Sequence, residues 1–229
     1  MTEGGARLSI IVPSLDEEAE IRQLLQALQV LRRAGQELIV VDGGSSDATR
    51  RLARPLVDRL IVTPPGRARQ MSAGARAASG DVLWFLHADC QVPEDNLEKM
   101  VGAMQRASAV WGRFDVRLSG RHPLLRLVAF MMNWRSRLTG IATGDQGIFV
   151  RRKAFFEVGG FPDLPLMEDI AISRRLKRLA RPSCPRQRLV VSSRRWERRG
   201  VFHTILLMWR LRLAFALGAD PARLASRYR

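Results

Sequence analysis

The sequence is poor in cysteine and tyrosine, and it lacks long apolar runs. Its 229 residues include Cys 2 and Tyr 1, and two cysteines are too few for a disulfide framework, which favours a reducing compartment. No stretch reaches about 18 apolar residues, so we expect no membrane-spanning helix. The apolar residues 8–12 are followed at once by Pro13 and acidic residues, unlike a signal peptide. No Gly-x-Gly-x-x-Gly follows a strand, which argues against an NAD-dependent dehydrogenase.

Positive charge is what the sequence has in excess. Lys+Arg 38 against Asp+Glu 22 leave a net charge of +16. A strongly cationic surface favours partners that carry phosphate, which are nucleotides, nucleic acid or an anionic membrane face. The hydrophobic share of 46% and the charged share of 26% are those of a globular protein. No internal repeat and no linker divides the chain, so we expect a single domain over residues 1–229.

The first hundred residues alternate between short apolar runs and helical patterns. Strands are predicted at 8–12, 37–41, 58–62 and 82–86. Helices are predicted at 17–33, 46–54, 67–79 and 93–106. This repetition predicts an α/β fold with a mostly parallel central sheet and helices on both faces. Ligands of such sheets bind beyond the carboxyl ends of the strands.

The second half has a different pattern. Residues 110–118 alternate loosely and indicate a strand at the rim of the sheet. Residues 124–134 are apolar enough for a helix that packs on the core or contacts lipid. A glycine-containing loop over 139–150 runs into a strand at 147–150, and residues 167–179 have a helical pattern.

Acidic and polar side chains follow the predicted strands of this very basic protein. Asp42 ends the second strand and Asp89 follows the fourth, with His87 and Gln91 at alternate positions beside it. Carboxylates at this edge can accept hydrogen bonds from a base or ribose, or hold a divalent cation that bridges phosphates. The alternative is that Asp42 and Asp47 only cap the helix that follows.

Four polar segments occur in a fixed order along the chain. They are Val-Pro-Ser-Leu-Asp-Glu-Glu at 12–18, Val-Val-Asp-Gly-Gly-Ser-Ser-Asp-Ala-Thr at 40–49, Gly-Asp-Val-Leu-Trp-Phe-Leu-His-Ala-Asp at 80–89, and Pro-Leu-Met-Glu-Asp at 165–169. Together they resemble the family-2 glycosyltransferases over most of residues 8–180. The resemblance implies the GT-A fold, a Rossmann-like sheet that binds a nucleotide sugar and a divalent metal. It divides the chain into a nucleotide-sugar half (8–106), an acceptor and catalytic half (107–182) and a basic helical tail (183–229).

The resemblance also implies which residues hold the nucleotide. The nucleoside pocket is lined by Pro13, Ser14 and Glu17, with Glu17 contacting ribose or base. Asp42 recognises the base, which we expect to be uracil. The nucleotide and its phosphates are contacted by Arg67 and Gln70.

For the metal and the chemistry, the resemblance implies a second group. Asp89 ligates Mn²⁺ or Mg²⁺, and Gln91 resembles the metal-side Gln of polyprenyl-phosphate sugar transferases in the family. His87 stands where the family has the first Asp of Asp-x-Asp, so it is a metal ligand, a donor of a hydrogen bond to the substrate, or only a filler of the strand end. Asp169, assisted by Glu168, is the catalytic base, while the residue-level alternative is an acidic helix N-terminus.

Three further sites have open alternatives. Asp145 and Gln146 contact the acceptor or donor sugar, or they only form a turn. Arg195 and Trp196 resemble part of the Gln-x-x-Arg-Trp motif of processive members and are candidates for the acceptor or donor sugar, but the Gln is absent, which argues against polymer extension. Arg113 faces the diphosphate or is solvated at the rim.

One base and no second nucleophile imply a single displacement with inversion, assisted by the metal, from a UDP-sugar. Residues 201–217 form a basic amphipathic helix that lies on an anionic membrane face and serves a lipid or lipid-phosphate acceptor, or it packs on the core. In this tail His203 is a late metal ligand or a structural histidine. We therefore expect a cytoplasmic enzyme, with a peripheral position at the inner face of the membrane as an option.

The competing hypothesis is a non-catalytic basic protein that binds nucleic acid or an anionic membrane. Its support is the net charge and the arginine-rich tail. Aromatic residues are not interleaved with the basic residues as stacking platforms would be, so we expect no nucleic acid partner. A nucleotidyltransferase is disfavoured because no glycine-rich basic loop follows the first strand.

Overall fold

The computed structural model describes residues 6–106 and 108–228 of the chain. Its strands are β1 (Leu8–Ser14), β2 (Glu37–Asp42), β3 (Arg59–Val62), β4 (Val82–Phe85), β5 (Cys90–Gln91), β6 (Trp111–Gly112), β7 (Asp115–Leu118), β8 (Phe149–Arg151) and β9 (Arg188–Val191). Its helices are α1 (Ile21–Ala27), α2 (Gln29–Arg33), α3 (Thr49–Ala53), α4 (Arg67–Ala77), α5 (Glu94–Gln105), α6 (Pro123–Thr139), α7 (Arg152–Glu157), α8 (Glu168–Leu179), α9 (Arg194–Arg199), α10 (Val201–Ala216) and α11 (Pro221–Tyr228). Short 3₁₀ turns lie at Arg54–Leu56 and Gly144–Gln146.

The central sheet has six strands in the order β3-β2-β1-β4-β8-β6. The pairs β1–β2, β1–β4 and β2–β3 are parallel, while β8 is antiparallel to both β4 and β6. A second sheet of three strands has the order β5-β9-β7. The prediction of a mostly parallel sheet in an α/β fold is confirmed.

The two faces of the central sheet are covered by different helices. Leu8, Ile10 and Val12 of β1 point to one side, where they belong to the same apolar cluster as residues of α1 and α5. Ile11 points to the opposite side and shares a cluster with residues of α4 and α8. Successive side chains of a strand alternate between faces, so a strand buried on both sides is apolar throughout. On the α4 side a Cβ at Gly74 would overlap the side chain of Ile11, so glycine allows the close approach of α4.

Two predicted elements differ substantially from the observed ones. The helix predicted over 17–33 begins at Ile21, after a turn in which the carbonyl of Glu17 accepts the backbone N–H groups of Glu20 and Ile21, and it is divided into α1 and α2. The strand predicted over 110–118 is two strands, β6 and β7, that belong to different sheets. The strands β5 and β9 were not predicted, because β5 has two residues and β9 lies within the densely basic part of the chain.

Arg113, between β6 and β7, is fully buried, so neither sequence hypothesis for it is correct. Its guanidinium pairs with the carboxylate of Asp115 and donates to Ser136 Oγ at 3.0 Å, and Arg137 binds the same carboxylate at 2.6 Å. Charges are buried when they are paired and hydrogen-bonded. This network fastens α6 to β7.

Among the helices that the structure describes, none is both long enough and apolar enough to cross a bilayer.

Candidate active site

Asp42 lies at the carboxyl end of β2, beside the end of β1, and its side chain is fully buried. One carboxylate oxygen accepts the backbone N–H groups of Gly44 at 3.0 Å and Ser45 at 2.8 Å, and the other accepts the hydroxyl of Ser45. The hydroxyl of Ser14 lies 3.4 Å away, and Arg50 approaches from the solvent side at 3.8 Å. These bonds hold the turn at Gly44 and Ser45, so the alternative that Asp42 caps the following helix is wrong, because α3 begins only at Thr49 and has no side-chain cap. A nucleobase could contact Asp42 only through this carboxylate, which already accepts hydrogen bonds from Gly44 and Ser45.

The helix α4 contributes two predicted nucleotide contacts to the same edge. Gln70 is buried, and its amide nitrogen donates to the carbonyls of Ser14 at 2.7 Å and Val41 at 2.9 Å. It therefore ties the end of β1 to β2, which leaves only its carbonyl oxygen for a ligand. Arg67, in the first turn of α4, extends to Glu168 at 3.7 Å. Burial would lower the pKa of Arg67, but the carboxylates around it, first among them Glu168, raise the pKa above its ordinary value.

Glu17 and Asp89 lie near one another beyond the ends of β1 and β4. Burial and then the charge of Asp89 raise the pKa of Glu17, whereas Arg194 of α9 acts in the opposite direction. Arg194 also pairs with Glu20 at 3.3 Å. The basic tail therefore reaches the predicted nucleoside pocket, which the sequence alone did not indicate. Pro13, another residue predicted to line this pocket, is buried inside β1.

His87 follows β4 and is nearly buried. Its Nδ1 lies 3.2 Å from a carboxylate oxygen of Asp145, and its Nε2 is enclosed without a hydrogen-bond partner among the described residues. A Cβ on Gly144 would lie 2.6 Å from that Nε2, so the ring packs against the Gly144 backbone. In this orientation Nδ1 faces Asp145 and Nε2 is enclosed, so neither nitrogen is open to a cation. Metal ligation by His87 would require the ring to move.

Asp169 has the best-defined geometry in the site. One carboxylate oxygen accepts the backbone N–H of Gly144 at 2.9 Å, and the other accepts that of Ile170 at 2.7 Å. Met167, just before α8, has φ 69°. This left-handed conformation is rare for a non-glycine residue, and it turns the chain so that Glu168 and Asp169 occupy the first helical turn. Burial raises the pKa of Asp169, whereas its two backbone N–H bonds and the charge of Arg67 act to lower it.

Glu168 is buried beside Asp169, with an exposed fraction of 3%. Burial and the neighbouring Asp169 raise the pKa of Glu168, and Arg67 acts in the opposite direction. The acidic pair and Arg67 thus form one electrostatic unit that spans from α8 to α4. Acids in the first turn also complement the helix dipole, so the structural alternative and a chemical role are compatible here.

The remaining predicted residues have different surroundings. Gln146 is fully buried and forms a capping box with Thr143, which is the turn role that the sequence left open, whereas Asp145 is partly exposed. Gln91 is exposed on β5. Trp196 packs in the apolar cluster of α6, β7 and β9. Arg195 belongs to α9, but its side chain lies outside the described part of the structure.

Asp89 can ligate a divalent cation, but the described side chains around it cannot complete the coordination by themselves. The described residues contain no group of three or more His, Cys, Asp or Glu side chains that could hold a metal ion. The carboxylate of Asp89 is partly exposed and stands beside Glu17. Mg²⁺ is commonly bound by one or two carboxylates together with substrate phosphates and water. The donor set therefore fits a cation that arrives with a diphosphate.

Gly144 is the functional residue that sequence reasoning missed. Its backbone N–H holds Asp169 while its Cα packs against His87, so it connects the predicted metal side to the predicted base. A glycine in a polar loop before a strand indicates close backbone approach, which was the one available signal.

The resemblance to glycosyltransferases implies a transfer activity, and we predict that Gly144→Ala lowers it by about 10²-fold, because a small displacement of the groups around Asp169 can cost that much. The added Cβ would lie 2.5 Å from His87 Cε1, which forces the ring or the Gly144 N–H to move. Steady-state kinetics would measure the loss. Gly102→Ala is the matched control, because nothing lies within 4 Å of its Cβ and α5 should keep or gain stability. Equal activity in both variants would contradict the role of Gly144.

A mostly parallel sheet whose carboxyl edge gathers polar side chains is the arrangement in which open α/β proteins place their ligand site. The model of "Glycosyl transferase family 2" matches residues 9–160. The chain therefore belongs to glycosyl transferase family 2.

Two curated relatives illustrate the similarity in sequence. A "Probable glycosyltransferase YdaM" of Bacillus subtilis (strain 168) is 28% identical over 202 residues, which is 76% of this chain and 47% of the relative. An "Undecaprenyl-phosphate 4-deoxy-4-formamido-L-arabinose transferase" of Klebsiella pneumoniae is 28% identical over 158 residues, which is 63% of this chain and 48% of the relative. The chain thus spans about half the length of these relatives.

Two solved structures share the fold. Staphylococcus aureus TarS 1-349 in complex with UDP-GlcNAc has a TM-score of 0.65 at 19% identity, and the match covers 81% of this chain and 58% of that chain. Glucosyl-3-phosphoglycerate synthase from Mycobacterium tuberculosis, in complex with Mn²⁺, UDP and glucosyl-3-phosphoglycerate, has a TM-score of 0.59 at 21% identity, covering 82% and 71%. Both agree with the GT-A fold implied by the sequence.

Proposed function

We propose that this protein transfers a sugar from a nucleoside diphosphate sugar, a UDP-sugar, to an acceptor oxygen. The observation that carries the proposal is the carboxylate of Asp169. It is held by two backbone N–H groups and, through Gly144, is adjacent to His87 at the carboxyl edge of the sheet. A fixed, partly enclosed carboxylate of raised pKa is suited to accept a proton near neutral pH.

In this mechanism Asp169 accepts the proton of the acceptor hydroxyl or phosphate. The acceptor oxygen attacks the anomeric carbon, and the bond between that carbon and the diphosphate oxygen breaks. With one base and no second nucleophile, the displacement is single and the configuration inverts. Gly144 and Ile170 fix the direction of the carboxylate, and Arg67 beside Glu168 adds positive charge at this edge.

Asp89 would hold the divalent cation, Mn²⁺ or Mg²⁺, together with diphosphate oxygens. Gln91 would belong to the same metal-binding part of the site. When bound, such a cation stabilises the negative charge of the leaving diphosphate. Complexes of a structural neighbour with Mn²⁺ or Mg²⁺ and UDP support this assignment. Glu17, Ser14 and Asp42 would form the nucleoside side of the site.

The acceptor class we propose is a lipid-linked phosphate. The support is the undecaprenyl-phosphate transferases among the relatives and the net charge of +16, which favours anionic partners. Asp145, which is partly exposed and lies beside His87, is the candidate contact for the donor or acceptor sugar.

Ligand-induced stabilisation tests the donor. The chain would be heated with UDP, UDP-sugars and GDP, with and without Mn²⁺. A ligand at about 100 times its Kd stabilises by about 2.7 kcal/mol, which for this size corresponds to a rise in Tm of about 5–10 °C. We expect this rise for UDP ligands with Mn²⁺ only. No response to any nucleotide, together with salt-sensitive binding to DNA or RNA, would instead support the non-catalytic alternative.

A further inference from the structure

The helix α6 carries an exposed apolar stripe. Four large side chains recur at spacings of three and four, and each is about half exposed or more, namely Leu127, Met131, Trp134 and Leu138. Phe130 stacks parallel to Trp134 with ring centroids 6.4 Å apart and is itself 60% exposed. A soluble surface rarely collects so many large apolar side chains in one patch.

The helix α10 carries a second stripe of the same kind. Its exposed members also recur at spacings of three and four, and they are Phe202, Leu206, Trp209 and Leu213, followed by Leu217 just after the helix. The most exposed are Leu217 at 80% and Phe202 at 75%. The sequence predicted an amphipathic helix here and, at 124–134, a helix that packs on the core or contacts lipid; the structure shows that both helices carry an exposed apolar stripe.

The two stripes belong to neighbouring helices. On their inner sides, Met132 of α6 and Val201 and Ile205 of α10 pack against one apolar cluster, which also contains residues of β7 and β9. Further along, Leu211 of α10 packs with Met167 and Ile170, the residues that flank the acidic pair of α8. The two-helix surface is the sum of these two outward stripes, and its α10 part packs from inside on the residues that flank the acidic pair of α8.

The charged residues on the two helices themselves are of one sign. Neither α6 nor α10 contains an Asp or Glu, whereas Arg126 and Arg210 are exposed on them. Before α10, the exposed Arg198 and Arg199 outnumber the single acid of α9, Glu197. At the edge of the α6 stripe, both terminal nitrogens of Arg135 are enclosed and have no hydrogen-bond partner among the described residues. A second copy packed through the same surface would bring arginines to these arginines. An anionic lipid surface offers phosphates to the arginines and acyl chains to the apolar stripes.

We propose that the two-helix surface of α6 and α10 binds an anionic lipid bilayer, with its aromatic side chains inserted at the boundary between headgroups and acyl chains. For a lipid-linked acceptor this inference rests on the proposed function, because it brings Asp169 to the membrane where such an acceptor resides. Binding to the bilayer itself does not depend on the transfer reaction.

Co-sedimentation with vesicles tests the surface. The full chain would be mixed with vesicles of phosphatidylcholine and phosphatidylglycerol, or of phosphatidylcholine alone, and compared with the double variant Trp134→Ser with Trp209→Ser. We expect the mixed vesicles to bind the unmodified chain at least about tenfold more tightly than neutral vesicles, since each arginine near an anionic surface contributes about fivefold. The double variant should bind about tenfold or more weakly. The matched control is Val62→Ser with Phe156→Ser, two exposed apolar residues elsewhere, which should bind normally.

Two results would overturn the proposal. One is equal sedimentation of the double variant and the control. The other is a dimer in solution that the tryptophan variant dissociates, without vesicle binding, because the surface would then join two copies. If the surface is correct, the double variant still transfers sugar to a water-soluble short-chain acceptor and still gains stability from UDP with Mn²⁺. If only the proposed function fails, vesicle binding persists and transfer is absent with either acceptor.

Discussion

Asp169→Asn should reduce the rate of sugar transfer by about 10²–10⁴-fold, the usual contribution of a general base. The substitution keeps the shape of the side chain but removes the group that accepts the proton. In the variant one of the two backbone N–H groups, that of Gly144 or Ile170, faces an amide nitrogen that cannot accept it. Neither bond involves the predicted nucleoside residues, so the loss should fall on kcat rather than on donor binding. Single-turnover rates at saturating donor, with UDP affinity measured in parallel, would separate the two.

Asp163→Asn is the matched control for this variant. Asp163 precedes α8, pairs with Arg69 at 2.9 Å and is exposed at the surface. Surface ion pairs contribute little, so this variant should keep its rate. Comparable losses in the two variants would mean that this region of the chain tolerates no substitution. A normal rate in Asp169→Asn would show that Asp169 is not the base.

The pH dependence follows from the same carboxylate. Burial raises the pKa of Asp169, and a base must be deprotonated to act. The rate should therefore rise with pH through a pKa above the ordinary aspartate value, and this ascending limb should disappear in Asp169→Asn. A profile of kcat against pH measures it. A limb that persists in the variant would belong to another group.

Much of the fold could be predicted because its strands are apolar throughout. The four parallel strands β1 to β4 have few polar positions and lie between glycines, prolines and polar turns, so both their existence and their direction followed from the pattern. Strands of two residues, such as β5 and β6, are too short to form a pattern. Their pairing with β9 and β8 depends on contacts distant in sequence.

The site was predictable where an acidic side chain follows a strand, and not where its partner comes from a distant loop. Asp89 follows β4 and stands out against the basic composition, whereas Asp169 lies in the first turn of a helix and was indicated only by the resemblance to the family. In contrast, no local pattern indicates that Gly144 holds Asp169 or that Arg194 approaches Glu17, since these contacts form only when the second half of the chain packs on the first. The same reason explains Arg113, whose burial depends on Asp115 and α6.

Asp89→Asn should abolish the dependence of UDP binding on Mn²⁺ and lower kcat/KM by about 10²–10³-fold, the size of a lost electrostatic contribution to the leaving group. The amide keeps the size of the side chain but not the negative charge that holds a divalent cation next to phosphate oxygens. Calorimetric titration of UDP with and without Mn²⁺, on the variant and the unmodified chain, measures the coupling directly.

Asp95→Asn provides the control, because Asp95 is an exposed acid in the first turn of α5, a few residues beyond the site. It should retain the full effect of Mn²⁺. Removal of the Asp89 charge should also lower the pKa of Glu17, since Asp89 is second only to burial among the causes that raise it. A variant that still binds UDP more tightly with Mn²⁺ would show that the cation is held elsewhere. The assignment of Asp89 would then fail, while the role of Asp169 would stand on its own experiment.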